Sequence, residues 1–392
     1  GFHGNLTNIP RLTRRFNHLF VKKKIAIVGA GIGAIASALA LLRRGRSEGL
    51  FDICDDIIDV YHDSSKPIER VGQGSTVSFT KLFHKEFSYD SNFYSNKIGM
   101  TMKTGINYEG WGNLDNMFHD FPLGFHAIHY QPNLLSEAIL NSEFIKSHDT
   151  DVTNLDNIQA DYIIDCRGRH YNDYENDYDM LVNPINSALL GRKEGRDPDL
   201  HYTRCVATPH GWTFVIPNID SVSYGYLYNS SITEKEEATI MFKEMFDIDV
   251  NFDMQFKNYV AKNYMSSDKV FLNGNRYSFI EPLEATSVGM YIYVAYGILD
   301  TILGNPTGFD INKSLYDEVK RIESFILWHY QTGSKYDTEF WRYAKSLPFN
   351  PDDEFRKYLE ADTYETWPQD YSQWNTHSFK LWNDQIVKGV LT

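Results

Sequence analysis

KIAIVGAGIGAIASALALL, residues 24–42, is the stretch whose reading decides the fold. Ile25, Ala26, Ile27 and Val28 form a short apolar run of the kind that parallel strands, buried on both faces, require. Gly29 and Gly31 follow as a tight turn, and residues 34–42 carry small and apolar side chains suited to a helix lying on a sheet. Strand, glycine turn and helix in this order make a dinucleotide-binding fingerprint. Gly29 permits the turn, Gly31 lets the backbone approach a pyrophosphate, and the free N–H groups and dipole of the helix N-terminus favour its negative charge. Ala34 stands at the third small position, where one methyl still allows helix and strand to pack. The expectation is an α/β fold with a Rossmann-like nucleotide-binding domain.

Outward from this stretch, residues 51–61 hold strand-forming side chains and lead to Asp63, placed where an acidic residue at the end of a second strand accepts hydrogen bonds from ribose hydroxyls. Residues 70–76 (RVGQGST) form a glycine-rich polar loop, and Lys103 lies in MKTGINYEGW, residues 102–111. His119, His126 and His129 raise the question of a metal, the last two being three apart as on one helical face. No carboxylate or cysteine completes a ligand set, so pocket or packing histidines are expected and no metal. Residues 161–168 repeat the strand-then-glycine pattern. Residues 212–217 and 223–228 alternate as antiparallel strands do, which implies a second sheet. Helices are predicted over 233–246 and 288–303, and a helical pattern at three-to-four spacing begins after Asn312.

Composition excludes several classes. A net charge of −14 opposes nucleic acid and anionic membrane as partners, leaving a small molecule. Three widely spaced cysteines, Cys54, Cys166 and Cys205, give neither a disulfide framework nor a zinc site and fit a reducing cytoplasm. The apolar run at 34–42 is too short to span a bilayer. Residues 1–21 contain Arg11, Arg14 and Arg15 among polar residues and begin without Met, and are expected to be a processed or artificial, disordered tail. The chain then divides into a core over 22–310 and an aromatic-rich helical region over 311–392.

Taken together, the motifs resemble the flavin-dependent halogenases of the tryptophan-halogenase family, from about Ile25 to Trp341. Gly29-x-Gly31 with Asp63 resembles the family's FAD fingerprint, and residues 71–76, with Gly72 and Thr76, its V-G-E-A-T loop. Lys103 falls where the family places a catalytic lysine. WTFVIP at 212–217 resembles W-x-W-x-I-P, and EPLEAT at 281–286 resembles E-P-L-E-S-T. His329-Tyr330 and DTEFW at 337–341 resemble a late signature. Four positions depart: Phe214 replaces the second Trp, Ala285 the serine, Ser287 a frequent glycine, and Gly274-Asn275 the flavin-side G-D.

The resemblance implies a flavin monooxygenase fold of the GR2 type, with an antiparallel sheet and a mostly helical substrate cap. It implies reduced FAD from a separate flavin reductase, O2, and a halide (chloride, bromide or iodide) held by backbone N–H groups of Thr286 and Ser287. Gly274 joins the FAD contacts. The hypohalous acid so formed reaches Lys103 and Glu284 and halogenates an electron-rich arene, of phenol or indole type. Trp212, Phe214, Ile216 and Pro217 form a wall between flavin and substrate, and His119 and Phe121 are candidates for substrate contact. The short stretch after Trp341 reduces the cap, so the substrate is not restricted to free tryptophan. Two alternatives stay open: an FAD-dependent aromatic hydroxylase, and a non-catalytic FAD-binding protein. The sequence leaves the oligomeric state unset, a homo-oligomer included.

Overall fold

The computed structural model describes residues 23–49, 58–66, 73–75, 79–80, 82–83, 97–121, 127–168, 174–305, 308–360 and 370–389. The tail over 1–21, Cys54, Gly72, Thr76 and His126 lie outside them. The strand Ile25–Val28 is buried throughout and sits inside a six-stranded sheet. It pairs in parallel with Ile58–His62 on one side and Tyr162–Asp165 on the other, the two later segments that read as strands. Ile145–Asp149 extends one side, and Val270–Leu272 with Met265–Ser267 the other. Val28 stands opposite both Tyr61 and Asp165. Gly29 and Cys166 therefore leave the sheet level with His62, the last residue of its strand, at the carboxyl edge where α/β sheets hold ligands.

The helix after the turn runs Ile32–Ala40 and continues as a wider, π-type turn over Leu41–Gly45. It begins two residues before the predicted start because Gly31, extended at φ −72 and ψ −177, is itself the N-cap. The helix packs against Ser287–Ile302, close to the predicted 288–303.

A seven-stranded sheet carries Gly211–Pro217 and Ser221–Tyr228 as an antiparallel pair near its centre. The alternation in these strands does not separate a dry face from a wet one, since every residue of both is buried. It separates two dry faces. Val215, Tyr224 and Tyr226 pack beneath the helix Lys235–Phe246 through Phe242 and Phe246. Trp212, Phe214 and Ile216 point the other way, into the main core. This explains the abundance of aromatics: large rings fill the space between sheet and helix at both levels.

Thr101–Lys103, Ala127–Tyr130 and Gln73–Gly74 form a small antiparallel sheet. His129 lies in a strand there, so the three-apart helical spacing with His126 does not apply; its ring meets Thr203 Oγ1 at 2.7 Å. The long helix Ile311–Thr332 begins at Asp310, whose side chain accepts from the Lys313 N–H. Glu339–Ser346, Asp353–Glu360 and Thr376–Leu381 follow. Trp341 of the first of these, and Trp382 just past the last, pack against Trp111 of the core.

Candidate active site

One cavity of about 1180 Å³ is lined both by the glycine turn and by Lys103 and Glu284. That exceeds the roughly 300–1,000 Å³ of ordinary small-ligand pockets and suits an extended dinucleotide. Gly29 has φ +122, and a Cβ there would meet the Cys166 carbonyl oxygen at 2.4 Å, so glycine is obligatory. Its N–H donates to the Tyr61 carbonyl, and Ser136 Oγ donates to the Ala30 carbonyl, which fixes the turn from both sides. A Cβ on Gly31 would meet nothing within 4 Å, because the backbone there faces the open cavity. The helix behind it has no capping side chain and no acid in its first turn. An uncapped N-terminus aimed into a cavity is a ready anion site, so the residues present fit a bound pyrophosphate. Asp63 stands on the same wall just past Ile58–His62, and its carboxyl sits below the usual range because Ser65 donates from both side chain and backbone.

The close approach predicted for Ala34 is made chiefly by its neighbour. A Cβ on Gly33 would meet the Gly274 Cα at 2.4 Å, so helix and loop touch backbone to backbone. Ala34 is buried in the core beside this contact. Gly274, at φ +61, is not on the cavity wall; Asn275 and Arg276 are. Asn273 fastens this loop, with its amide donating to Ser37 Oγ and the Tyr291 carbonyl and its oxygen accepting from the Gly274 N–H.

Lys103, on the same cavity wall, is only 1% exposed. In the sequence alone it reads as a surface lysine. Its Nζ donates to the Ser75 carbonyl at 3.2 Å and lies 5.8 Å from the centre of the Phe121 ring. Burial pushes its pKa down from 10.5 to about 8, against the opposing pull of Cys205 and Glu284. About a tenth of this amine is then neutral at pH 7, against a negligible share for a lysine at 10.5.

Glu284 is held from three directions. His329 Nε2 lies 2.8 Å from Oε1, the Tyr108 hydroxyl bonds to the same oxygen, and the Trp374 indole N–H donates to Oε2 at 3.1 Å. Burial would raise this carboxyl, but the His329 hydrogen bond and charge, with His119 and Tyr108, outweigh it and hold it at about 2. No ion pair joins Lys103 to Glu284 among the described contacts. A base and an acid thus face one cavity without neutralising each other.

Trp212, Phe214 and Ile216 also line the cavity. The Trp212 N–H is shared between Tyr330 Oη at 2.9 Å and Glu281 Oε2 at 3.2 Å. Glu281 is fully buried, takes a further bond from Asn183 Nδ2, and has its carboxyl raised by that burial. Phe214 lies flat over Gly225, where any Cβ would strike its ring. Pro217 is off the wall; its carbonyl accepts from Thr101 Oγ1.

Beside Glu284 the backbone is unusual. Glu284 and Ala285 both have positive φ, 71 and 52, then Thr286 returns to the right-handed region and the helix Ser287–Ile302 starts. Left-handed non-glycine residues cost on the order of 1–3 kcal/mol each and cluster at functional sites. Left- followed by right-handed residues also turn successive N–H groups toward one point, an anion-binding concavity backed here by a helix N-terminus. Ser287 reaches the cavity wall; Thr286 is buried behind it, its carbonyl accepting from Gln373 Nε2.

His119 and Phe121 are not on the cavity wall. His119 Nε2 bonds to Ser378 Oγ at 2.9 Å. Sequence reasoning missed Gly33, Tyr108, Trp374 and Cys205. It quoted His329 and Glu281 only inside motifs. Cys205, opposite Phe214 in the sheet, also lines the cavity. Only the small-residue run around Gly33 carried a signal visible without the structure. Among the described residues no three His, Cys, Asp or Glu are grouped as a metal would need, and no helix is long and apolar enough to cross a membrane.

Comparison with known proteins agrees with this geometry. Among solved structures, Xcc4156, a flavin-dependent halogenase from Xanthomonas campestris, superposes with a TM-score of 0.75 at 17% identity, covering 94% of this chain and 89% of its own. BrvH, a flavin-dependent halogenase from Brevundimonas sp. BAL3, gives 0.73 at 15%, covering 92% and 90%. At such identities the likeness concerns the fold. Tryptophan 7-halogenase RebH of Lentzea aerocolonigenes is 26% identical over 207 residues, 48% of this chain and 38% of RebH. Tryptophan 6-halogenase ThaL of Streptomyces albogriseolus is 27% identical over 166 residues, 40% of this chain and 30% of ThaL. The matched stretch therefore spans well under half the length of these relatives. The tryptophan halogenase profile matches residues 24–132 and 136–385, and by that match over most of its length the chain belongs to the tryptophan halogenase family.

Proposed function

We propose that the chain is an FADH2-dependent halogenase of electron-rich aromatic rings. The observation that carries this reading is one cavity lined both by the dinucleotide clasp and by a buried lysine and carboxylate, with Trp212 and Phe214 on its wall. FAD, bound reduced, would supply with O2 and a halide the oxidising equivalent of a hypohalous acid. Gly29, Gly31 and the uncapped helix hold its pyrophosphate, Asp63 its ribose, and Gly72 and Thr76 of the glycine-rich loop belong to the same group of contacts. Gly274 serves by packing against Gly33. Backbone N–H groups at Thr286 and Ser287 hold the halide.

Lys103, buried and partly neutral, captures or hydrogen-bonds the electrophile. Glu284, fixed by three donors, orients it across the cavity. In the transfer the O–X bond breaks, the ring forms C–X and loses its hydrogen, and one water leaves. Trp212, Phe214 and Ile216 keep the arene from the flavin, with Pro217 ending their strand; Phe121 packs near Lys103 and His119 adds charge near Glu284, both from behind the wall and without substrate contact.

The relatives' names as tryptophan halogenases support indoles as one substrate class for this chain. Phenols share the required ring electron density. A flavin reductase is the partner, and a cytoplasmic setting fits the free Cys166 and Cys205. The core covers 22–310. The region 311–392 is part of the site, since His329 and Trp374 hold Glu284.

Incubation with FAD, a flavin reductase, NADH and a panel of phenols and indoles, with and without chloride, bromide or iodide, tests the reading. Halide-dependent replacement of ring hydrogen supports it. Oxygen gain without halide would favour hydroxylation, and tight flavin binding without product a scaffold.

A further inference from the structure

Donor and acceptor bookkeeping around Glu284 fixes more than its position. His329 Nδ1 lies 2.7 Å from the Phe325 carbonyl, which can only accept, so Nδ1 carries a hydrogen. A neutral imidazole of that tautomer leaves Nε2 bare, and a bare nitrogen cannot donate to a carboxylate. Yet Nε2 is 2.8 Å from Glu284 Oε1. One extra proton must therefore lie in the pair, either on Nε2 as imidazolium or on Glu284 as the acid.

The other partners decide between these. The Trp374 indole can only donate, and it bonds to Oε2; the Tyr108 hydroxyl bonds to Oε1. With His329, three donors occupy a group with about four lone-pair sites, which favours the ionised form. The ring of His329 is itself fully buried and packed 3.9 Å from Trp382, so its orientation is set by the core.

We propose that His329 is a positioning residue that keeps Glu284 a fixed, permanently ionised carboxylate, so that Glu284 acts through its charge on the bound electrophile and is not the base that receives the ring proton. This rests on the halogenase reading. The one lone pair left on Oε2 accepts the O–H of the hypohalous acid and orients its halogen toward the arene. When the O–X bond breaks, the hydroxide released takes the ring proton and leaves as water, so the dyad ends as it began. The charged or titratable groups that face Glu284 are Lys103 on Thr101–Lys103, Tyr108 on Gly105–Glu109, His119 on Asn116–Asp120, Cys205 on Thr203–Thr208 and His329 on Ile311–Thr332. Of these, His329 alone forms an ion pair with it among the described contacts.

The test compares pH profiles of halogenation kcat/KM for the wild type and His329→Gln, whose amide still donates to Glu284 but carries no charge. The wild type is expected to show no loss attributable to Glu284 down to about pH 5. In His329→Gln the buried carboxyl loses its charge partner, and an acid limb enters this window, with the rate falling about tenfold per pH unit below it. Flavin oxidation in the variant stays at the wild-type rate. A profile lowered equally at every pH overturns the proposal. Should the variant fail to fold, 15N NMR of histidine-labelled wild type reads the dyad directly: both ring nitrogens of His329 protonated at neutral pH supports the proposal, and a bare nitrogen overturns it. A wild type that forms no halogenated product defeats the halogenase reading instead, and leaves the NMR result to judge the dyad.

Discussion

Replacing Lys103 by Met separates what this side chain does for the reaction from what it does to the fold. Lys103 is 1% exposed and its pKa falls from 10.5 to about 8, chiefly through burial. The shift of about 2.5 units corresponds to about 3 kcal/mol, at ~1.36 kcal/mol per unit, by which the native state is penalised for burying the ammonium. The sign follows from linkage. A lysine whose folded pKa is depressed destabilises the protein in full below the folded value, about 8 here. The penalty shrinks as pH rises toward 10.5, and vanishes above it. Methionine matches the aliphatic stem but cannot donate to the Ser75 carbonyl, which returns about 1 kcal/mol. Lys103→Met is therefore expected to be about 2 kcal/mol more stable than wild type at about pH 7, and to lose that advantage by about pH 10. Urea unfolding at a series of pH values measures it. A variant less stable than wild type at neutral pH, or a difference independent of pH, refutes the burial argument and with it the origin of the reactive amine.

Three further outcomes follow from the same geometry. If the neutral amine captures the electrophile, the halogenation rate rises with pH, is half-maximal near 8 and levels about a unit above it; a rate that falls through this range assigns the ammonium instead. Gly33→Ala drives a methyl into the Gly274 backbone, and is expected to lower stability by about 1–3 kcal/mol and weaken FAD binding, read by urea unfolding and flavin titration. Trp212→Phe keeps the ring in the wall but removes the N–H shared by Glu281 and Tyr330, leaving a buried carboxyl short of a donor at a cost of about 1–3 kcal/mol in the same unfolding assay.

The nucleotide end was legible because each of its residues acts through local backbone geometry. A four-residue apolar strand, a glycine at positive φ and a helix N-terminus are near-neighbour features, and the helix and strand positions followed within a few residues. Gly33 escaped because its partner, Gly274, is 241 positions away in the chain. Lys103 was legible only by its motif, since nothing in MKTGINY marks it as buried; the small sheet with Ala127–Tyr130 does that. The setting of Glu284 was the least legible. Tyr108, His329 and Trp374 come from three distant segments, and only tertiary packing brings their donors to one carboxylate. The alternation at 212–217 gave the strand but not its surroundings, because period two cannot distinguish a solvated face from a second buried one.

The central claim is that the reaction is completed at Lys103, apart from the flavin. Parallel measurement of flavin oxidation and of halogenated product in wild type and Lys103→Ala, with bromide and an indole, tests it most directly. Unchanged flavin oxidation with product lost by at least about a hundredfold, the scale of removing a group that acts in the transfer step, is the predicted result. Product formed at the wild-type rate by Lys103→Ala would contradict it.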